Sequence, residues 1–145
     1  MEAIISRVQA ACDASIPAEW RLPSDAPFDP DSRPIDIFKR PGLLSPEELA
    51  ITEQNATELL EKLHKGALSA VSATKAFAKR AAVAHQVVNC LTEFFPDEAL
   101  KRAAELDEIY QKTGRPVGVL HGLPIAIKVS PLSIYLLMSV CGVSD

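Results

Sequence analysis

From Ser69 onward the apolar positions Ala73, Phe77, Ala81, Ala84, Val88, Leu91 and Phe95 recur at steps of three and four. That spacing puts one face of an α-helix against a core, and it predicts a long helix over 69–95. Ala70, Ala76, Ala78, Ala82 and Val83 fill much of the remaining circumference. Small side chains let neighbours approach closely, so this helix is expected to be buried on more than one side. The flanking segments have to supply its partners.

Before it, Ser45-Pro46-Glu47-Glu48 is a capping box with proline at the first helical position, and Asn55 with Glu58 repeats the signal ahead of Leu59-Leu60-Glu61-Lys62-Leu63. Each polar cap satisfies amides that a helix start leaves free. Gly66 is placed to close the second of these helices. After the long helix, Pro96-Asp97-Glu98 puts acids at the positive end of another. Its inner stripe is Ala99, Ala103, Leu106 and Tyr110, and Thr113-Gly114-Arg115-Pro116 stops it. Four helices thus precede a change of pattern. The apolar, partly β-branched run Leu123-Pro124-Ile125-Ala126-Ile127-Lys128-Val129, bounded by Gly122 and Pro131, reads as a buried strand.

Seven of the eleven prolines lie between Pro17 and Pro46. Each fixes its own backbone and restricts the residue before it, so this stretch is expected to be an extended, irregular arm. Trp20, Phe28, Ile35, Ile37 and Phe38 would anchor it along a larger body.

The net charge of −4 argues against a nucleic-acid binder, which needs a basic face. Cys12, Cys90 and Cys141 are odd in number and far apart, which points to reduced thiols in a cytoplasmic chain. Residues 1–16 lack the apolar run of a signal peptide. The run Ile134 to Val140 is far shorter than the roughly 20 residues that cross a bilayer, so no membrane association is expected.

Few residue patterns point to chemistry. Ser72-Ala73-Thr74-Lys75 fits S-x-x-K, but its S-D-N and K-T-G companions are absent and it lies in the first turns of the amphipathic helix. His64 at a helix end and His85 within the long helix have no ligand-spaced companions, and read as surface or packed side chains. Gly114, Gly118 and Gly122 precede a strand pattern and do not open a helix, so they form no phosphate loop. In Val119-Leu120-His121-Gly122-Leu123-Pro124-Ile125-Ala126-Ile127-Lys128 a glycine turn feeds an apolar run that finishes on a lysine. Such a lysine often reaches out to water. Held among apolar neighbours, it loses hydration, its neutral form is favoured, and it becomes a base able to activate a serine.

At this point the sequence resembles the amidase signature hydrolases, and within them the fungal acetamidase or general amidase branch. The specific match is Leu120-His121-Gly122-Leu123-Pro124, then three apolar residues, then Lys128. The likeness also runs through Ile16-Pro17-Ala18-Glu19-Trp20-Arg21-Leu22-Pro23, through 42–49, through Asn89-Cys90-Leu91-Thr92-Glu93 and through 96–100. The resemblance implies a Ser-cisSer-Lys triad that cleaves carboxamides to a carboxylic acid and ammonia. Lys128 is the triad member that maps here, as the catalytic base. The bridging serine, the nucleophile, the Gly-Ser-rich loop and the oxyanion-hole amides lie, in the family, beyond residue 145. It implies a mixed α/β sheet covered by helices, to which this chain would give mainly helices and one or two short strands at its C-terminal end. It implies no cofactor and no metal, and a small-molecule amide substrate in the full-length form, with a homo-oligomer of that form left open. Residues 1–44 then read as the arm and 45–128 as the N-terminal part of an amidase domain. Alone, such a chain is expected to be inactive. The alternatives are a non-catalytic product that binds through its exposed helix faces, and a chain that does not persist folded.

The family has proline at the place of Val119 and aspartate at that of Val129. Beyond Lys128 no likeness is visible, and although Ser130 and Ser133 stand near the lysine, neither sits in a glycine-rich turn. Val129-Ser130 can be encoded by GTGAGT or GTAAGT, the usual start of a eukaryotic intron, so 129–145 is expected to be translated intron. Genomic DNA downstream should contain an acceptor site followed by the family's Asp and Gly-Ser-Ser segments; their absence would sink this explanation.

Overall fold

The computed structural model describes residues 2–24, 28–29 and 31–127. Among the described residues five α-helices follow one another: α1 (Glu2–Ala14), α2 (Pro46–Thr52), α3 (Ala56–His64), α4 (Ala70–Val88) and α5 (Pro96–Thr113). Two short 3₁₀ segments, Ala18–Trp20 and Pro34–Lys39, punctuate the arm. No described helix is long and apolar enough to cross a membrane.

Both capping boxes form. Ser45 Oγ accepts from the Glu48 amide at 3.1 Å while Glu48 Oε2 accepts from the Ser45 amide at 2.7 Å. Asn55 and Glu58 make the same exchange at 3.0 and 3.1 Å. These starts are local, and local chemistry suffices to place them. Helix α1 had no such signal, and its apolar residues Ile5 and Val8 are exposed; it adds a fifth helix among the described residues to the four that the pattern indicated.

Helix α4 is the hub, packing against α5, α2 and both 3₁₀ segments. Its alanines make this feasible: Ala70, Ala73, Ala76 and Ala82 are fully buried and face different neighbours. Ala70 and Ala73 join Leu63 of α3 and Ala103 of α5 in one cluster, and Ala82 joins Ile16 and Trp20 of the arm in another. Burial on more than one side is therefore observed. The stripe read from the sequence is not the most buried face, however: Phe77, Ala81 and Ala84 are half-buried and Val88 and Phe95 are exposed. The helix also ends at Val88, short of Leu91 and Phe95. Asn89 takes a left-handed conformation, φ 49°, which asparagine tolerates better than most residues. The buried His85 then accepts the Leu91 amide on Nδ1 at 3.0 Å, turning the chain away.

The arm does wrap along this hub. Gln86 of α4 holds it at both ends of one side chain, donating to the Trp20 carbonyl at 2.9 Å and accepting from the Leu22 amide at 2.8 Å. Trp20 and Ile37 are buried anchors, whereas Ile35 is exposed. Arg80 lies over the Phe38 ring, 4.5 Å from its centroid, and donates to Thr52 Oγ1.

The strand expected at 123–129 is not formed in its described part. Residues 123–127 have no regular structure, and Ile125, Ala126 and Ile127 are exposed. A strand exists by pairing its amides with neighbours, and the described residues offer none. Residues 128 and 129 lie outside the described residues.

Lys79 of α4 joins Glu48 of α2 by a 2.8 Å contact in which both side chains are about four-fifths covered, at 18% and 17% exposure. Burial opposes ionisation of Glu48, but the Lys79 hydrogen bond, the Ser45 amide and the charges of Lys79 and Lys75 outweigh it and hold the carboxyl below its usual range. Stability from this group is thus fully present above the ordinary glutamate range and is lost as pH falls through the lowered value. Lys79→Met should cost about 1–2 kcal/mol at pH 7, and the gap between variant and parent in urea unfolding should narrow as pH falls below about 4. An equal gap at pH 7 and pH 3 would contradict this account.

Candidate functional site

The family-like motif sits on a platform built by α3, α4 and α5. Helix α3 closes at Gly66, φ 66°, with the Gly66 amide donating to the Leu63 carbonyl and the Ala67 amide to that of Lys62. This double closure needs a residue free to adopt positive φ. A Cβ at Gly66 would stand 2.9 Å from the ring of Tyr110, whose hydroxyl donates to the His64 carbonyl at 2.9 Å. Tyr110 therefore ties α5 to the last turn of α3.

Asp107, one turn earlier on α5, faces the start of α4. Its two oxygens accept from the amides of Ala70 and Val71 at 2.7 and 3.0 Å, beside the Ser69 cap that takes the Ser72 amide at 3.0 Å. A carboxylate on the free amides of a helix start is stabilised by hydrogen bonds and by the helix dipole. Ser72 of the S-x-x-K pattern belongs to this cap, and its hydroxyl accepts from Ser69 Oγ at 2.8 Å.

Residues 117–123 then fold onto the platform as consecutive turns. The His121 amide donates to the Gly118 carbonyl and the Leu123 amide to the Leu120 carbonyl, both at 3.1 Å. Gly122 has φ 71° at the third position of the second turn, where glycine is favoured because L side chains are strained there. A Cβ would meet the Ala70 Cβ at 2.9 Å and Leu63 Cδ2 at 3.1 Å. His121 is 5% exposed, packs 5.7 Å from the Tyr110 ring centroid, and accepts the Val117 amide on Nδ1 at 3.2 Å. Its neutral form is required for that bond, because a protonated Nδ1 donates. Burial first, and then the nearby His64, push His121 below the ordinary histidine value, against the opposing pull of Asp107. His64 Nε2 is itself buried without a hydrogen-bond partner. A cleft of about 380 Å³ opens here, lined among others by Leu63, Gly66, Ser69, Asp107, Tyr110 and His121.

The glycine turn expected before Lys128 is thus present, while Lys128, Ser130 and Ser133 lie outside the described residues. The sequence places Tyr110 on the inner stripe of α5 and His121 inside the motif, and gives no signal for Asp107. The groups that Asp107 and Tyr110 bond are on other helices.

Comparison with known proteins agrees with the motif. The family described as Amidase matches residues 72–130. The chain is 47% identical over 127 residues to an acetamidase of Emericella nidulans, covering 88% of this chain and 23% of that one. It is 48% identical over 120 residues to an acetamidase of Aspergillus oryzae, covering 83% and 22%. Among solved structures a fatty acid amide hydrolase superposes with a TM-score of 0.76 at 38% identity, over 85% of this chain and 22% of that one. The chain is a relative of the amidase signature family. More narrowly, it resembles fungal acetamidases, and it spans less than a quarter of the length of these two.

The turn geometry yields a paired test. Gly122→Ala combines positive φ with two close contacts and should cost about 1–3 kcal/mol in urea unfolding. Gly118→Ala, where an added Cβ meets nothing within 4 Å, should stay within about 0.5 kcal/mol of the parent. Equal effects would show that the turn does not rest on α3 and α4.

Proposed function

We propose that this chain derives from an acetamidase-like amidase, and that Lys128 is the base of its Ser-cisSer-Lys triad. The observation that carries this reading is the coincidence of the Leu120-to-Lys128 motif with 47% identity to an acetamidase across 127 residues. In the whole enzyme the neutral lysine would draw a proton through the bridging serine while the second serine attacks the carboxamide carbonyl; ammonia leaves and water hydrolyses the acyl-enzyme. The substrate is a small carboxamide, and the core a mixed sheet to which residues 123–128 would contribute a strand once neighbouring strands pair with it.

Residues 1–145 carry the lysine of this arrangement without the family's glycine-serine loop. Without nucleophile and oxyanion donors nothing remains to accelerate acyl transfer. The segment 129–145 is read as translated intron. A second reading, a non-catalytic binding fragment, draws on the exposed apolar side chains of Val117, Val119, Leu120, Ile125 and Ile127, with Val119 80% exposed.

Ammonia release from acetamide and longer carboxamides distinguishes the readings. The chain alone should be silent, and the spliced coding sequence carrying the downstream serines should be active and lose several orders of magnitude in kcat on Lys128→Ala. Release by the short chain that Lys128→Ala abolishes would show that it is sufficient; an active long form indifferent to Lys128→Ala would overturn the assignment.

A further inference from the structure

We propose that neutral His121 is the positioning residue of the segment that runs on to Lys128, a latch that holds residues 117–123 on the α3–α5 platform and lets go when the imidazole takes a proton. The bearing of this latch on catalysis rests on the amidase reading; the latch itself does not.

The geometry is specific. His121 Nδ1 accepts the Val117 amide four residues back, and the intervening Gly118 carbonyl accepts the His121 amide, so one imidazole closes the whole turn. The ring is held between the turn and Tyr110, which is itself fastened to the His64 carbonyl. Protonation converts Nδ1 from acceptor to donor, sets it against the Val117 amide, and places a cation beside the second imidazole, His64. The groups facing His121 are His64 from α3, Asp107 and Tyr110 from α5, and the Val117 amide from its own turn. Asp107 is the one opposing charge among them, and its oxygens are already engaged by the Ala70 and Val71 amides.

The lowered proton affinity of His121 is consistent with this arrangement. The folded platform favours the neutral ring, so its stabilisation is complete above the ordinary histidine value of about 6.5 and is lost as pH falls through the lowered folded value. The switch therefore lies on the acid side of neutrality. The helices themselves are held by contacts that do not depend on it, above all the alanine-lined α4–α5 packing.

Amide hydrogen exchange and imidazole shifts, read by NMR on the whole chain between pH 8 and pH 5, test the latch. The Val117, His121 and Leu123 amides should lose protection by about tenfold beyond the intrinsic pH effect, the loss of one hydrogen bond, with a midpoint equal to that of the His121 ring. Helix α4 amides should not follow. His121→Asn, which offers a permanent acceptor near the Nδ1 position, should keep the turn protected across the range. His121→Phe should leave it unprotected at every pH. Protection that persists while His121 is charged, or that is lost at the same pH in His121→Asn, overturns the latch, as would a chain with no protected α4 amides at pH 8. No substrate enters these measurements, so failure of the amidase reading would leave their outcome unchanged.

Discussion

The carboxylate of Asp107 on the first amides of α4 is the contact on which the placement of the motif depends. By taking the Ala70 and Val71 amides at 2.7 and 3.0 Å, it fixes where α5 crosses the start of α4. That crossing sets Tyr110 over Gly66 and against His121, and it brings Ala103 onto Leu63, Ala70 and Ala73. Helix-start amides left without acceptors would carry a desolvation penalty here, because Ala70 is fully buried. One side chain thus serves both the stability of α4 and the position of the surface on which the glycine turn lies.

Small residues determine how closely the parts can approach. Ala70 and Ala73 let α5 lie against α4, and Gly66 and Gly122 admit Tyr110 and Ala70 at distances that leave no space for a Cβ. Close approach lets the Tyr110 hydroxyl reach the His64 carbonyl and Asp107 reach the Ala70 and Val71 amides, so the packing chemistry of the alanines and glycines sets the surface against which His121 lies.

What was legible in the sequence was what is local. Ser45 with Glu48 and Asn55 with Glu58 complete their bonds within four residues, so their pattern alone places two helix starts. Gly114 stops α5 for the same kind of reason. The end of α4 was not legible, because the apolar stripe continues to Phe95 while the chain is turned by the left-handed Asn89 and by His85 accepting the Leu91 amide. The stripe also misplaced much of the burial: Ala73 on it is covered, but so are Ala70, Ala76 and Ala82 off it, while Val88 and Phe95 at its far end are exposed. The strand was read from residues 123–129 as though partners were present, and the described residues contain none. The family likeness was legible because nine residues, Leu120 to Lys128, carry several fixed identities at once.

The unpaired apolar run and the anchored turn before it are two halves of one arrangement. From Val117 to Leu123 the turns bond to themselves, Val117 to His121, His121 to Gly118 and Leu123 to Leu120, and Gly122 is pressed on α3 and α4. From Pro124 the side chains turn outward, and Ile125 and Ile127 are exposed. A run that is apolar yet uncovered is stable as a strand only where other strands pair with it and other side chains cover it. The platform therefore fixes where that run begins, whereas its extended form depends on a sheet. Because the lysine of the motif stands at the end of this run in sequence, the proposed use of that lysine as a base would require both the anchored turn and the pairing, and the helical platform supplies the first of these.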